Sequence, residues 1–386
     1  FVHANIYTDP ETLIEDGMLI IQDGKVLNAG KNVPLPANAV VFDLKGRYIY
    51  PSFIDLYTEY GLPSNRYERK NVRAPQMESN VKGAYGWNQA IRSNVQAHQM
   101  VVHNTESAEQ FKKNGIGIVL SCPKDGIVRG SGVLMALNHT TRENESILMD
   151  RAAGFYSFSK GSSTQDYPSS LTGGIALLRQ TYYDAKWYTS GGKEIEYNIS
   201  LDEFNRLQSL PSVIEAGDKY NVLRAARTGE EFGVRYIIKA GGNEYQRLQE
   251  IAATKLPLIL PLNFPQAYDV EDPYDAESVS LAELKHWELA PSNAAFLEKQ
   301  KVDFCFTAAG LKDVNQFLKN IRKAVQSGLS EKMALRALTT NPAAFIKASD
   351  RVGALKNGYF AGFFITNKSI FEEDAVVLAH NSGTEW

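Results

Sequence analysis

Seven residues of this 386-residue chain have types and settings that could do chemistry. Asp55, Tyr57 and Glu59 alternate along Phe53-Ile-Asp-Leu-Tyr-Thr-Glu59, so on a strand they share one face. Glu215 closes the apolar run Ser212-Val-Ile-Glu215, Lys239 closes Tyr236-Ile-Ile-Lys239, and His286 sits beside Trp287. Asp218 follows Glu215 by three residues in Glu215-Ala-Gly-Asp218. Glu59 with Glu215 or Asp218 is the one arrangement here that could hold a hard cation through oxygen. The plainer reading of these carboxylates is ion pairing or hydrogen bonding, and of a lone His286 a packed, hydrogen-bonded ring.

The other candidate motifs are weak. His98 and His103 are five apart and would not share a helical face, and no H-E-x-x-H occurs. His3 and His380 fall in the β-rich ends, and His139 in a polar loop. Ser157-Phe-Ser-Lys160 matches a serine–lysine acyl-enzyme pattern without its companion motifs. Gly126-Ile-Val-Arg-Gly-Ser-Gly132 lacks the ending of a phosphate loop and reads as a turn around Arg129. Cys122 and Cys305 lie in apolar runs and read as buried free thiols.

The elements that must position these residues form a simple pattern. Both ends are β-rich: Met18–Gln22, Asp23-Gly24 and Lys25-Val-Leu27 read as a hairpin, and Val40–Leu44, Phe363–Thr366 and Ala375–Leu378 as strands. Between them apolar runs at 53–56, 116–121, 212–215, 236–239, 256–260 and 304–307 alternate with helical periodicity, the mark of parallel βα units. These make six strands; a barrel of eight needs two more, which fall within 85–160. The aromatic run Phe155–Pro168 and the helical face of Leu171, Ile175, Leu178, Tyr182 and Ala185 read as a loop and outer helix packed on the barrel, with a docking surface as the sharper alternative. A net charge of −3 offers no electrostatic case for nucleic acid or anionic membrane as partner, and no apolar run approaches the ~20 residues that span a bilayer.

Two end motifs carry a resemblance. Gly46-Arg-Tyr-Ile-Tyr-Pro-Ser-Phe-Ile-Asp-Leu-Tyr-Thr-Glu59 resembles the entry to the first barrel strand of the amidohydrolase superfamily, G-(K/R)-x-(V/I)-x-P-G-F-I-D-x-H-x-H. Ala334-Leu-Arg-Ala-Leu-Thr-Thr-Asn-Pro-Ala343 with Asp350-Arg-Val-Gly353 and Leu355-Lys-Asn-Gly358 resembles that superfamily's closing motif, of the imidazolonepropionase and dipeptidase kind. The implied fold is α/β: a (β/α)8 TIM-like barrel over 51–349, with a small composite β-sandwich from 1–50 plus 350–386. The resemblance also implies a metal-bound hydroxide, held by two His on strand one, His after strands five and six, and Asp after strand eight. Here those places hold Tyr57, Glu59, no His near Glu215, Gly241 and Ala308.

The expectation is therefore a non-catalytic domain with no cofactor, similar to the metal-less first half of tandem bacterial proteins built from two amidohydrolase-like halves. Its partner would be the catalytic half or a second copy, and its location periplasmic or secreted, otherwise cytoplasmic. Two alternatives stand beside it. One is an active hydrolase of C–N bonds with an atypical zinc or manganese site; the other is a small-molecule or peptide binding module using the mouth.

Overall fold

The computed structural model describes residues 1–63, 75–79, 88–138 and 146–384. His139 lies outside them. The chain opens with β1 (Ala4–Asp9), β2 (Thr12–Gln22), β3 (Lys25–Gly30) and β4 (Tyr48–Pro51) and closes with β13 (Gly362–Thr366) and β14 (Val377–Ser382). These six form one sheet in the order β14-β13-β4-β1-β2-β3. In the β2–β3 hairpin Gln22 faces Lys25, and Asp23 and Gly24 take φ of 51° and 73°, which is what a two-residue type I′ turn requires. The strand expected at Val40–Leu44 does not form; there Asp43 alone bridges to Val2, and residues 40–43 are exposed.

The middle strands are β5 (Phe53–Thr58), β6 (Ile116–Ser121), β7 (Val128–Ala136), β8 (Ile147–Ser157), β9 (Ser212–Glu215), β10 (Tyr236–Lys239), β11 (Leu258–Pro261) and β12 (Phe304–Thr307). They form an eight-stranded sheet in chain order, curled until β12 lies against β5. This is the expected TIM-like barrel with one departure. The two strands missing from the sequence reading, β7 and β8, fall inside 85–160, and β7 runs antiparallel to both β6 and β8 while the other seven strands are parallel. The turn expected around Arg129 is thus a wholly buried strand. Its glycines serve close approach: a Cβ on Gly130, where φ is 84°, would lie 2.0 Å from the Val95 carbonyl oxygen. The start of the aromatic run is likewise not loop, since Phe155–Ser157 complete β8.

Alternation along the short parallel strands sets the interior. Val213, Ile237, Ile259 and Cys305 join Ile54, Leu56 and Tyr57 in one buried cluster inside the barrel. Two residues on, and so on the same face, stand Glu215, Lys239, Pro261 and Thr307 at the C-terminal ends. The outer layer is helical, its helices begun by side-chain caps such as Ser170, Asn198, Asp218 and Ser330. Tyr182 and Ala185 pack inward, whereas Tyr183 donates to Glu231 and meets Phe232 edge-on. Both cysteines are free and buried, as expected. No helix among the described residues is long and apolar enough to cross a membrane.

Barrel and terminal sheet share a joint. Ser52 Oγ and His380 Nε2 lie 3.2 Å apart, and Gly117 on β6 leaves the space, because a Cβ there would come within 2.3 Å of the His380 ring. Burial, then the Lys112 charge, lowers the His380 pKa from 6.5 to about 3. A folded value below the unfolded one means stability that is full above 6.5 and is lost progressively as pH falls toward 3. His380→Asn should flatten that acid slope in pH-dependent denaturation; an unchanged slope would assign it to other groups.

Candidate functional site

In the parallel strands the C-terminal ends meet at one mouth, where a β/α barrel places its chemistry. β7 is reversed, so its N-terminal end arrives there instead. That reversal delivers Arg129, which sequence reasoning missed.

The Arg129 side chain is 3% exposed and its guanidinium makes three bonds. Nη1 donates to the Tyr57 hydroxyl at 2.8 Å, Nη2 to Glu215 Oε2 at 2.8 Å, and Nε to the Gly126 carbonyl at 3.1 Å. Strands β5, β7 and β9 are thereby tied through one planar cation, whose fixed fork suits two separated acceptors. Burial raises the Tyr57 hydroxyl well above its ordinary value, with Arg129 only partly offsetting it, so Tyr57 stays a neutral phenol. Burial also pushes the Glu215 carboxyl up, but the Arg129 charge and hydrogen bond, with Lys239 and Tyr57, outweigh it and hold it below the usual range.

Lys239 stands in register beside Glu215 and has its ammonium 5.9 Å from the centroid of the Tyr57 ring. Burial lowers its pKa; Glu215 opposes that and Lys124 adds to it. Lys124, also missed from sequence, sits 4.7 Å from the same ring and 3.4 Å from Glu59, whose side chain is 57% exposed. Beneath them Asp55 is fully buried, accepting from the Tyr57 amide at 2.9 Å and from the Ala308 amide at 2.8 Å. Burial raises the Asp55 pKa against the opposing bonds from Thr307, Ala308 and Tyr57.

Two expected site residues have other work. Asp218 caps the helix Lys219–Phe232, accepting from the amides of Tyr220 and Asn221 at 2.7 and 3.0 Å. His286 lies 3.1 Å from the Tyr245 hydroxyl and stacks on that ring, and burial lowers its pKa. It belongs to a structural contact, not to the Tyr57–Arg129–Glu215 group. The serine–lysine pattern is also undone: Ser157 Oγ donates to the Gly126 carbonyl at 2.9 Å, while the Lys160 amine donates to the Gln165 carbonyl.

The donor set does not fit a catalytic metal. Among the described residues no three His, Cys, Asp or Glu side chains come together. Gly241, where the resemblance would put the strand-six ligand, has no room for a side chain, since a Cβ there would meet the Gly217 carbonyl oxygen at 2.1 Å. Arg129, Lys124 and Lys239 would repel a divalent cation in the mouth, and like unit charges about 4 Å apart cost ~4 kcal/mol at an effective dielectric of about 20.

No family model matches the sequence, and no curated protein matches it. Solved structures do. An amidohydrolase from Thermotoga maritima MSB8 aligns with a TM-score of 0.78 at 22% identity, over 99% of this chain and 97% of that one. A β-aspartyl dipeptidase from Fervidobacterium islandicum AW-1 aligns with a TM-score of 0.54 at 14% identity, over 99% and 94%. A molinate hydrolase gives 0.56 at 12% identity, over 100% and 93%. At such identities the likeness establishes fold and leaves the chemistry to the site. From end to end, this chain has the fold of the amidohydrolases.

Proposed function

We propose that this is a non-catalytic amidohydrolase-like protein whose mouth has exchanged a metal centre for a network built on a guanidinium. Its role is to support a catalytic amidohydrolase-like partner, as one half of a tandem protein does, or to hold a ligand in the mouth; location outside the cytoplasm belongs to the same reading. One observation carries it: Arg129 joins Tyr57 and Glu215, which stand on the strands that would present metal-ligating side chains. A cation supplied by the chain fills the electrostatic role there and needs no further ion.

The test is metal retention. Protein incubated with zinc and manganese and then desalted should carry neither by elemental analysis, and near-stoichiometric retention of either would overturn the proposal. Glu59 is the most exposed carboxylate at the mouth and the natural start for an oxygen-ligated site, the alternative of an active hydrolase. Glu59→Gln should leave metal content and any C–N hydrolysis unchanged. A loss of both in that variant would favour the active-hydrolase reading.

A further inference from the structure

Among the described residues, the carboxylates acting on Lys239 are engaged elsewhere. Glu215 is held by Arg129, Asp55 by two backbone amides, and Glu244 by the amides of Gly241 and Gly242 and by the Asn293 side chain. Lys239 itself, part-buried at the mouth, has no hydrogen bond or ion pair within 4.0 Å among the described residues. A lysine ammonium carries three donors, and withdrawing it from water without partners is costly. Lys124 is the second ammonium near the same Tyr57 ring, and its own link to Glu59 at 3.4 Å is half-exposed and loose. Two like charges are thus held near one aromatic ring, offset in part by that ring and by Glu59 and Glu215, but Lys239 makes no direct bond to any carboxylate among the described residues.

Building on the non-catalytic reading above, we propose that the mouth binds the carboxylate of a small organic acid, received by Lys239 with Lys124 beside the Tyr57 ring. An oxyanion there supplies the missing acceptor, and forming charged hydrogen bonds with the free ammonium is the largest gain the site offers. A singly charged head suits it better than a phosphate, because Glu215 and Glu59 border the mouth and repel a second negative charge. Where the fold would hold a metal cation for catalysis, this chain supplies cations of its own and so offers a place for an anion.

Calorimetric titration of the full chain with propionate, succinate and inorganic phosphate, at ionic strength matched with chloride, tests this. Propionate and succinate should bind saturably and raise the thermal midpoint, with phosphate weaker. Lys239→Met, or Lys239→Gln if the first variant does not fold, should bind them roughly tenfold more weakly or worse, the scale of one lost charged hydrogen bond. No saturable binding, or equal binding by the Lys239 variant, overturns the proposal. Phosphate binding tighter than either acid overturns the carboxylate assignment. The metal-retention experiment is independent: retained zinc would remove the non-catalytic reading, whereas absence of carboxylate binding removes only this one.

Discussion

Arg129→Met should destabilise the protein by about 3 kcal/mol, seen as a lower denaturation midpoint with the denaturant slope unchanged. The variant keeps bulk in the barrel but removes the donors to Tyr57, Glu215 and Gly126. Glu215 is then a charged group in a partly closed mouth whose cationic neighbour, Lys239, is not in contact. Its side chain is 34% exposed, so water recovers part of the loss and the value lies at the low end of what breaking a buried pair costs. Adding Glu215→Met should restore part of the stability, because removing both charges deletes the uncompensated one. A double variant no more stable than Arg129→Met would show that Arg129 acts by packing alone. The pH dependence has a definite sign. Glu215 is held below its ordinary value, so the stability it lends is present above the unfolded pKa of 4.5 and is lost as pH falls through the folded one. Arg129→Met should lack that loss on acidification.

Asp55→Ala should cost about as much, roughly 3 kcal/mol, through two buried amides left without acceptors. β5 and β12 are the end strands of the barrel sheet, with no backbone ladder between them among the described residues. Asp55 spans that seam from Oδ2 to the Ala308 amide, while Thr307 Oγ1 reaches the Tyr57 carbonyl at 3.4 Å. Asp55→Asn should fall between wild type and alanine, since one amide oxygen can satisfy only one of the two donors geometrically. Hydrogen exchange of the Ala308 amide is the local readout. Fast exchange in Asp55→Ala is expected, and protection equal to wild type would sink the seam assignment. The acid response is opposite to that of Glu215: a folded pKa raised above 3.8 contributes stability at low pH that is lost as pH rises through it.

Much of this architecture was legible in the chain because its signals are local. Asp23-Gly24 specifies a turn through two positive φ values and Ser330 caps a helix, whereas the break expected at Asn341-Pro342 falls earlier, at Thr339, with Pro342 inside the next helix. Six of the eight barrel strands appear as apolar runs, and the two end motifs frame nearly the whole length. That Tyr57, Glu59, Gly241 and Ala308 stand where the resemblance would put metal ligands is likewise an expectation drawn from sequence alone.

The composition of the mouth was decided by tertiary structure. Arg129 lies 72 residues from Tyr57 and 86 from Glu215, and it reaches them only because β7 runs against its neighbours. Strand direction is a matter of long-range pairing, which local pattern does not encode, and the glycines that let β7 approach Val95 look in sequence like those of a turn. Asp218 and Lys239 show the same division. Both are polar residues closing or following a strand, yet one turns back to cap its own helix and the other faces the mouth with no hydrogen bond or ion pair among the described residues, a difference set by the faces on which the folded backbone places them.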